Sequence, residues 1–204
     1  MAVLVKICGV TTPADARMVA AAGADMIGLN FYHQSKRFVD LAAAVEISEQ
    51  IPDDVWRVGV FVNSDRMEVE EARLAARLHA VQFHGDEPPE MLLGWPCPVI
   101  RAIRVYDEGS IAAAVDSEGP DYYLCEGGAD GGFGGAGVGF DWNLARQVPA
   151  RQLIVAGGLN PGNVAQAVQA TRPFAVDVAS GVESSPGCKD QEATLEFIQN
   201  AKSA

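Results

Sequence analysis

Lys6 and Cys8 stand two apart in an apolar run near the start of the chain. On a strand, that spacing turns both side chains to the same side. A lysine turned into a sheet core is costly unless an anion meets it. A cation beside Cys8 lowers a thiol from about 8.5 towards neutrality, making thiolate available as a base or nucleophile. The plainer reading of Cys8 is a small buried hydrophobe, and Cys97, Cys125 and Cys188 take that reading.

Ala156-Gly157-Gly158 and Ala179-Ser180-Gly181 each follow an apolar run. Glycine lets backbone N–H groups approach an anion closely, so two such loops in succession read as a phosphate cradle. Taken singly, each would only make a tight turn. Neither loop has GxGxxG or GxxxxGKS spacing, so they do not indicate a dinucleotide or triphosphate. Arg37 has the planar fork that fits a carboxylate, or is simply an exposed charge. His84 reads equally as a proton carrier and as a structural hydrogen-bonding residue. His33 and His79 have no evident partner.

These residues need a scaffold, and the chain alternates short apolar runs with alanine-rich helical segments. The runs Val3–Ile7, Asp25–Phe31, Trp56–Val62, Ala80–Phe83, Val99–Ile103, Tyr122–Cys125, Gln152–Val155 and Phe174–Val178 read as strands. Helices are expected over Pro13–Ala22, Leu41–Gln50, from an Asp65 cap to Leu78, then Pro88–Leu93, Ser110–Val115, Trp142–Arg146, Asn163–Ala170 and Gln191–Ala201. Glu70 and Arg73 are spaced for an exposed ion pair. Continuous apolar strands suit a parallel sheet covered by helices. Eight strand–helix units predict one α/β domain over residues 1–204, a (β/α)8 TIM barrel, with an open doubly wound sheet as the competitor. In a barrel the active site lies at the C-terminal ends of the strands. That address holds Lys6, Cys8, Arg37, Asn63, Gln82, His84, Asp86, Arg101, Arg104, Glu126, both glycine loops and Asp177. Closure makes the first and eighth strands neighbours, which predicts a Lys6–Asp177 pair at the floor of the site.

The 204 residues are 49% hydrophobic and 21% charged, the proportions of a globular protein rather than a disordered or collagen-like one. A chain of this length buries roughly 70% of its unfolded surface without disulfides. The net charge of −12, from 27 acidic and 15 basic residues, leaves Lys36-Arg37 as the longest basic cluster. Nucleic acid is therefore not an expected partner. No Cys/His spacing suggests zinc, and no apolar stretch approaches a membrane span. The N-terminus lacks a cleavage pattern. Free thiols in a reducing cytoplasm are expected.

Five motifs in order resemble the phosphoribosylanthranilate isomerase family of tryptophan biosynthesis. They are Lys6-Ile7-Cys8-Gly9, Ser35-Lys36-Arg37, Val81-Gln82-Phe83-His84-Gly85-Asp86-Glu87, the run Ala156 to Val164, and Asp177 to Glu183 followed by Pro186-Gly187-Cys188-Lys189-Asp190. The resemblance runs from Val3 to about Ala201. It implies an Amadori rearrangement without metal or cofactor, converting N-(5-phosphoribosyl)anthranilate to 1-(2-carboxyphenylamino)-1-deoxyribulose 5-phosphate. Cys8 then matches the general base, Arg37 the holder of the anthranilate carboxylate, and Gly157, Gly158, Ser180 and Gly181 the phosphate site. Lys6, His84 and Asp177 complete the expected substrate-binding set.

Two positions depart from the pattern. The family usually shows Leu-Leu-Asp at the end of strand six, where this chain has Leu124-Cys125-Glu126. Glu126 therefore takes the general-acid position, with Asp130 as the alternative. Ser35-Lys36-Arg37 replaces Ser-Pro-Arg. Indole-3-glycerol phosphate synthase chemistry and a non-catalytic phosphate-binding barrel are the rival readings, and either a monomer or a homodimer is compatible with this length.

Overall fold

Runs of aliphatic and β-branched residues too short for a helix form the strands, in a computed structural model that describes residues 3–115, 119–128 and 139–204. In chain order the elements begin β1 (Leu4–Cys8), α1 (Pro13–Ala21), β2 (Met26–Asn30), α2 (Leu41–Ser48), β3 (Trp56–Phe61), α3 (Arg66–Ala75) and β4 (Ala80–Phe83). They continue with β5 (Val99–Val105), α4 (Glu108–Val115), β6 (Tyr122–Gly127), α5 (Trp142–Ala145), β7 (Leu153–Val155), α6 (Val164–Thr171) and β8 (Ala175–Val178). A two-stranded hairpin, β9 (Glu183–Ser185) and β10 (Cys188–Lys189), precedes the last helix, α7 (Gln191–Lys202).

The first eight strands close into a parallel barrel in sequence order. Closure is direct, since β1 pairs with β2 on one side and β8 on the other, bringing Lys6 level with Asp177. The closed barrel, rather than the open sheet, is the architecture. Closure leaves no unpaired sheet edge.

Period-two alternation sorts the strand residues. Met26, Val58, Ala80, Ile100, Leu124, Ile154 and Ala175 pack together inside the barrel. Their strand neighbours, among them Ile27, Val81, Cys125 and Val176, pack outwards under the helices. Two residues further along, the same inward parity reaches Gln82, Glu126, Ala156 and Asp177, which line a hollow at the C-terminal mouth. Apolar filling below and polar groups above follow from one alternation.

Helix starts use the expected chemistry. Asp40, Asp65 and Asp190 each accept a hydrogen bond from a first-turn backbone N–H, and Asp65 with Glu68 completes a capping box. Arg73 and Glu70 pair on α3 at 2.6 Å.

Several expected boundaries move. The first strand runs through Cys8, which puts the thiol on the strand itself. The sixth extends to Gly127, so Glu126 is a strand residue. The α3 helix ends at Ala75 because Arg77 adopts a positive φ of 50°. The segment expected as a helix over 88–93 is a 3₁₀ turn, Pro89–Leu92. The β9–β10 hairpin has no counterpart in the sequence expectations, its strands being too short for a periodicity.

Candidate active site

The C-terminal ends of the strands converge on a hollow of about 740 Å³ when the solvent space of its open mouth is counted in. Its walls carry Cys8 from β1, Arg37 from the loop after β2, Gln82 and His84 at the end of β4, and Glu126 from β6. Gly157, Gly158, Ser180 and Gly181 line it from the loops after β7 and β8, together with Asp177. Nine of the ten sequence-predicted site residues therefore share one cavity. The tenth, Lys6, lies beneath it, fully buried, with Nζ 2.9 Å from Asp177 Oδ1. Burial opposes the ammonium charge, but the Asp177 carboxylate and the neighbouring Cys8 hold the Lys6 pKa above its ordinary value.

The same neighbourhood has a different result for Cys8. Burial pushes the thiol up, and this outweighs the downward pull of Lys6. The expected drop towards neutrality is thus corrected: the Lys6 charge is already committed to Asp177, while the sulfur gives up solvent. Space for this arrangement comes from Gly28, the β2 partner of Cys8. A Cβ there would fall 2.8 Å from Cys8 Sγ and 3.1 Å from Lys6 Nζ. An isolated glycine inside a strand signals such a close approach.

On the facing wall, His84 Nε2 lies 2.7 Å from Glu126 Oε1, and His84 Nδ1 lies 2.9 Å from Gln82 Nε2. With the Gln82 amide donating to Nδ1, the imidazole proton sits on Nε2 and points at the carboxylate. Gln82 is itself 1% exposed, so the imidazole is held from a rigid point. Between the Cys8 and Glu126 walls, on the shorter way round, stand β7 and β8 with their two loops. Gly157 and Gly158 have φ of 78° and 66°, which side-chain-bearing residues adopt only with strain.

Arg37 is not an exposed charge. Its Nε and Nη2 donate to the two oxygens of Glu183 at 2.8 and 2.7 Å. Asn63, Asp86, Arg101 and Arg104 stand outside the hollow. Asn63 Oδ1 accepts from the Asp86 backbone, Arg104 pairs with Asp86, and Arg101 with Glu87. They brace the loop after β4. Asp130 lies outside the described residues. Among the described residues, no group of His, Cys, Asp and Glu has an arrangement that could hold a metal ion, and no helix is long and apolar enough to cross a membrane.

Comparison with known proteins decides the family. The family model described as N-(5'phosphoribosyl)anthranilate (PRA) isomerase matches residues 5–200. The chain belongs to this isomerase family. It is 47% identical to the N-(5'-phosphoribosyl)anthranilate isomerase of Myxococcus xanthus, over 100% of this chain and 98% of that one. The crystal structure of phosphoribosyl anthranilate isomerase from Thermotoga maritima superposes with a TM-score of 0.90 at 38% identity, covering 99% of this chain and 100% of that one. A crystal structure of phosphoribosyl anthranilate isomerase in complex with reduced 1-(o-carboxyphenylamino)-1-deoxyribulose 5-phosphate matches with a TM-score of 0.86 at 38% identity, again over 99% and 100% of the two chains. The chain is accordingly an isomerase with the TIM-barrel fold of tryptophan biosynthesis.

Sequence reasoning gave no role to four members of the site. Gly28 carried a readable signal, a glycine interrupting an apolar strand. Gln82 stood on the inward parity of β4, although its hold on His84 was not foreseen. Glu183 and Lys189 stood in the motifs of the resemblance, but no interval marked them as a pair holding Arg37 and the Cys8 backbone, which lie far away in the chain.

Proposed function

We propose that the chain converts N-(5-phosphoribosyl)anthranilate to 1-(2-carboxyphenylamino)-1-deoxyribulose 5-phosphate, with Cys8 as general base and Glu126 as general acid. The observation that carries this reading is that Cys8 and Glu126 line one cavity from different walls, with both glycine loops between them. A sugar seated by its phosphate at those loops would present its reacting carbons between a base and an acid.

The Glu126 carboxylic acid gives its proton to the furanose oxygen. The bond from that oxygen to C1 breaks, and the anilino nitrogen supplies the electron pair for an iminium. Cys8, acting in the thiolate form that burial makes the minor one at neutral pH, then takes the proton from C2, and the C–H electrons form the C1–C2 double bond of an enolamine. Addition of a proton at C1 and loss of one from the C2 hydroxyl complete the amino ketone. Atoms and electrons balance without an external reductant or oxidant. Lys6 stabilises the thiolate, and His84 holds Glu126 in place. Arg37 receives the anthranilate carboxylate, and Gly157, Gly158, Ser180 and Gly181 receive the phosphate. The whole chain acts as one barrel domain, in the cytoplasm, on a small phosphorylated substrate.

The test is the fluorescence decay of freshly generated phosphoribosylanthranilate. Rapid loss with the wild type and almost none with Glu126→Gln is expected. No loss with the wild type, despite binding of the reduced product analogue, would identify a barrel that binds without turnover.

A further inference from the structure

Arg37 reaches the cavity wall through a network of buried charge. Glu183 opens β9 and Lys189 closes β10, and the two face each other across that antiparallel pair. Lys189 Nζ donates to Glu183 Oε1 at 2.7 Å, to the Cys8 carbonyl at 2.7 Å and to the Ala179 carbonyl at 3.2 Å, which uses all three of its protons. Its side chain is entirely shielded from solvent, and that of Glu183 is 4% exposed. Thr11 Oγ1 donates to the Gly187 carbonyl at 2.7 Å and pins the hairpin tip to the loop after β1. Gly9 lies against the Arg37 side chain, where an added Cβ would collide with Arg37 Cδ.

The consequence lies in which edge of the guanidinium remains. Glu183 occupies the edge formed by Nε and Nη2. Nη1 has no hydrogen-bond partner among the described residues, so the Nη1–Nη2 edge is the one left for a second carboxylate. An arginine free to rotate would offer any edge and lose rotamer entropy on binding, whereas a clamped one has lost it already.

We infer that Glu183, itself held by Lys189, is a positioning residue that fixes Arg37 to receive the substrate's aromatic carboxylate end-on, and so sets selectivity for carboxylate-bearing substrates. The inference rests on the proposed isomerase reading for the identity of that carboxylate. Lys189 also ties this clamp to the Cys8 backbone and to Ala179, beside the phosphate loop. One buried ammonium therefore holds the three walls that the substrate would touch in register.

The experiment is calorimetric binding of reduced 1-(o-carboxyphenylamino)-1-deoxyribulose 5-phosphate and of its counterpart lacking the carboxylate. The preference for the first over the second is compared in wild type, Glu183→Gln, Glu183→Asp, Arg37→Lys and the Arg37→Lys/Glu183→Gln double variant. Glu183→Gln should lower that preference about tenfold, mainly by weakening the carboxylate ligand. Glu183→Asp keeps the charge but withdraws the fork contact, and should lower it similarly. The double variant should lose no more than Arg37→Lys alone, because Glu183 acts through Arg37. Equal weakening of both ligands would show a merely structural role and overturn the inference. So would tighter binding of the carboxylate ligand to Glu183→Gln, which would mark Glu183 as a competitor. Binding needs no turnover, so a wild type that binds selectively but fails to isomerise would sink the proposed reaction and leave the clamp standing.

Discussion

Lys6 on β1 and Asp177 on β8 meet at 2.9 Å across the seam that closes the barrel. They are 171 residues apart in the chain. Lys6 fills the barrel interior beneath the cavity and Asp177 forms part of its floor, where a lone charge of either sign would be strongly disfavoured. The pair therefore joins the first and last barrel strands and forms the floor on which Cys8 rests.

Removing one partner alone should be costly. Lys6→Met or Asp177→Asn leaves an uncompensated buried charge and should lower unfolding stability by about 3–5 kcal/mol in denaturant titration. The double variant Lys6→Met/Asp177→Leu should recover much of that loss. If each single change costs no more than a surface substitution, the two charges do not depend on each other for their burial.

Cys8 should be a protonated thiol at neutral pH in the unliganded protein. Burial raises its pKa above the ordinary thiol value, so thiolate grows only as the pH climbs past the range of a free cysteine. The ultraviolet thiolate absorbance of wild type minus Cys8→Ser should be absent at neutral pH and appear in the alkaline range. A full signal at neutral pH would mean that Lys6 wins over burial. In the same pair, Cys8→Ser should reduce turnover about 10²- to 10⁴-fold while analogue binding changes little; a loss under tenfold would exclude Cys8 as the base.

Glu126→Gln should reduce turnover to a similar extent, because the amide keeps the shape and cannot donate an acidic proton. His84→Ala removes the 2.7 Å partner of Glu126 Oε1 and should cost about tenfold in kcat, less than loss of the acid itself. Steady-state kinetics of the two variants decide this. If Asp130→Asn is the damaging change and Glu126→Gln is not, the acid lies elsewhere.

Gly28→Ala places a methyl 2.8 Å from Cys8 Sγ. Over-packing of this kind costs about 1–3 kcal/mol. Because the sulfur must move to make room, kcat should fall more than stability alone explains. Thermal unfolding and kcat measured together check it, and unchanged kcat would show that the sulfur has room to spare.

Much of this protein was legible along the chain. Apolar runs of strand length alternating with capped helical segments determined eight parallel strands, two-residue spacing put Lys6 and Cys8 on one side, and strand order put Gln82, Glu126 and Asp177 at the C-terminal mouth. The position of the glycine loops after the seventh and eighth strands, together with the five ordered motifs, determined the family. These are local or evenly spaced signals, written in residue type and interval.

Tertiary structure decided what depends on distance and solvent. Arg37 and Glu183 are 146 residues apart, and no interval marks two such residues as partners. Lys189 stands in a strand of two residues, too short for a periodicity, and is buried only because the hairpin folds over β1 and excludes water from it. The direction of the Cys8 shift was equally hidden. Residue types named the competing charge and burial, but only the packed barrel, with Lys6 already spent on Asp177, determines which is larger.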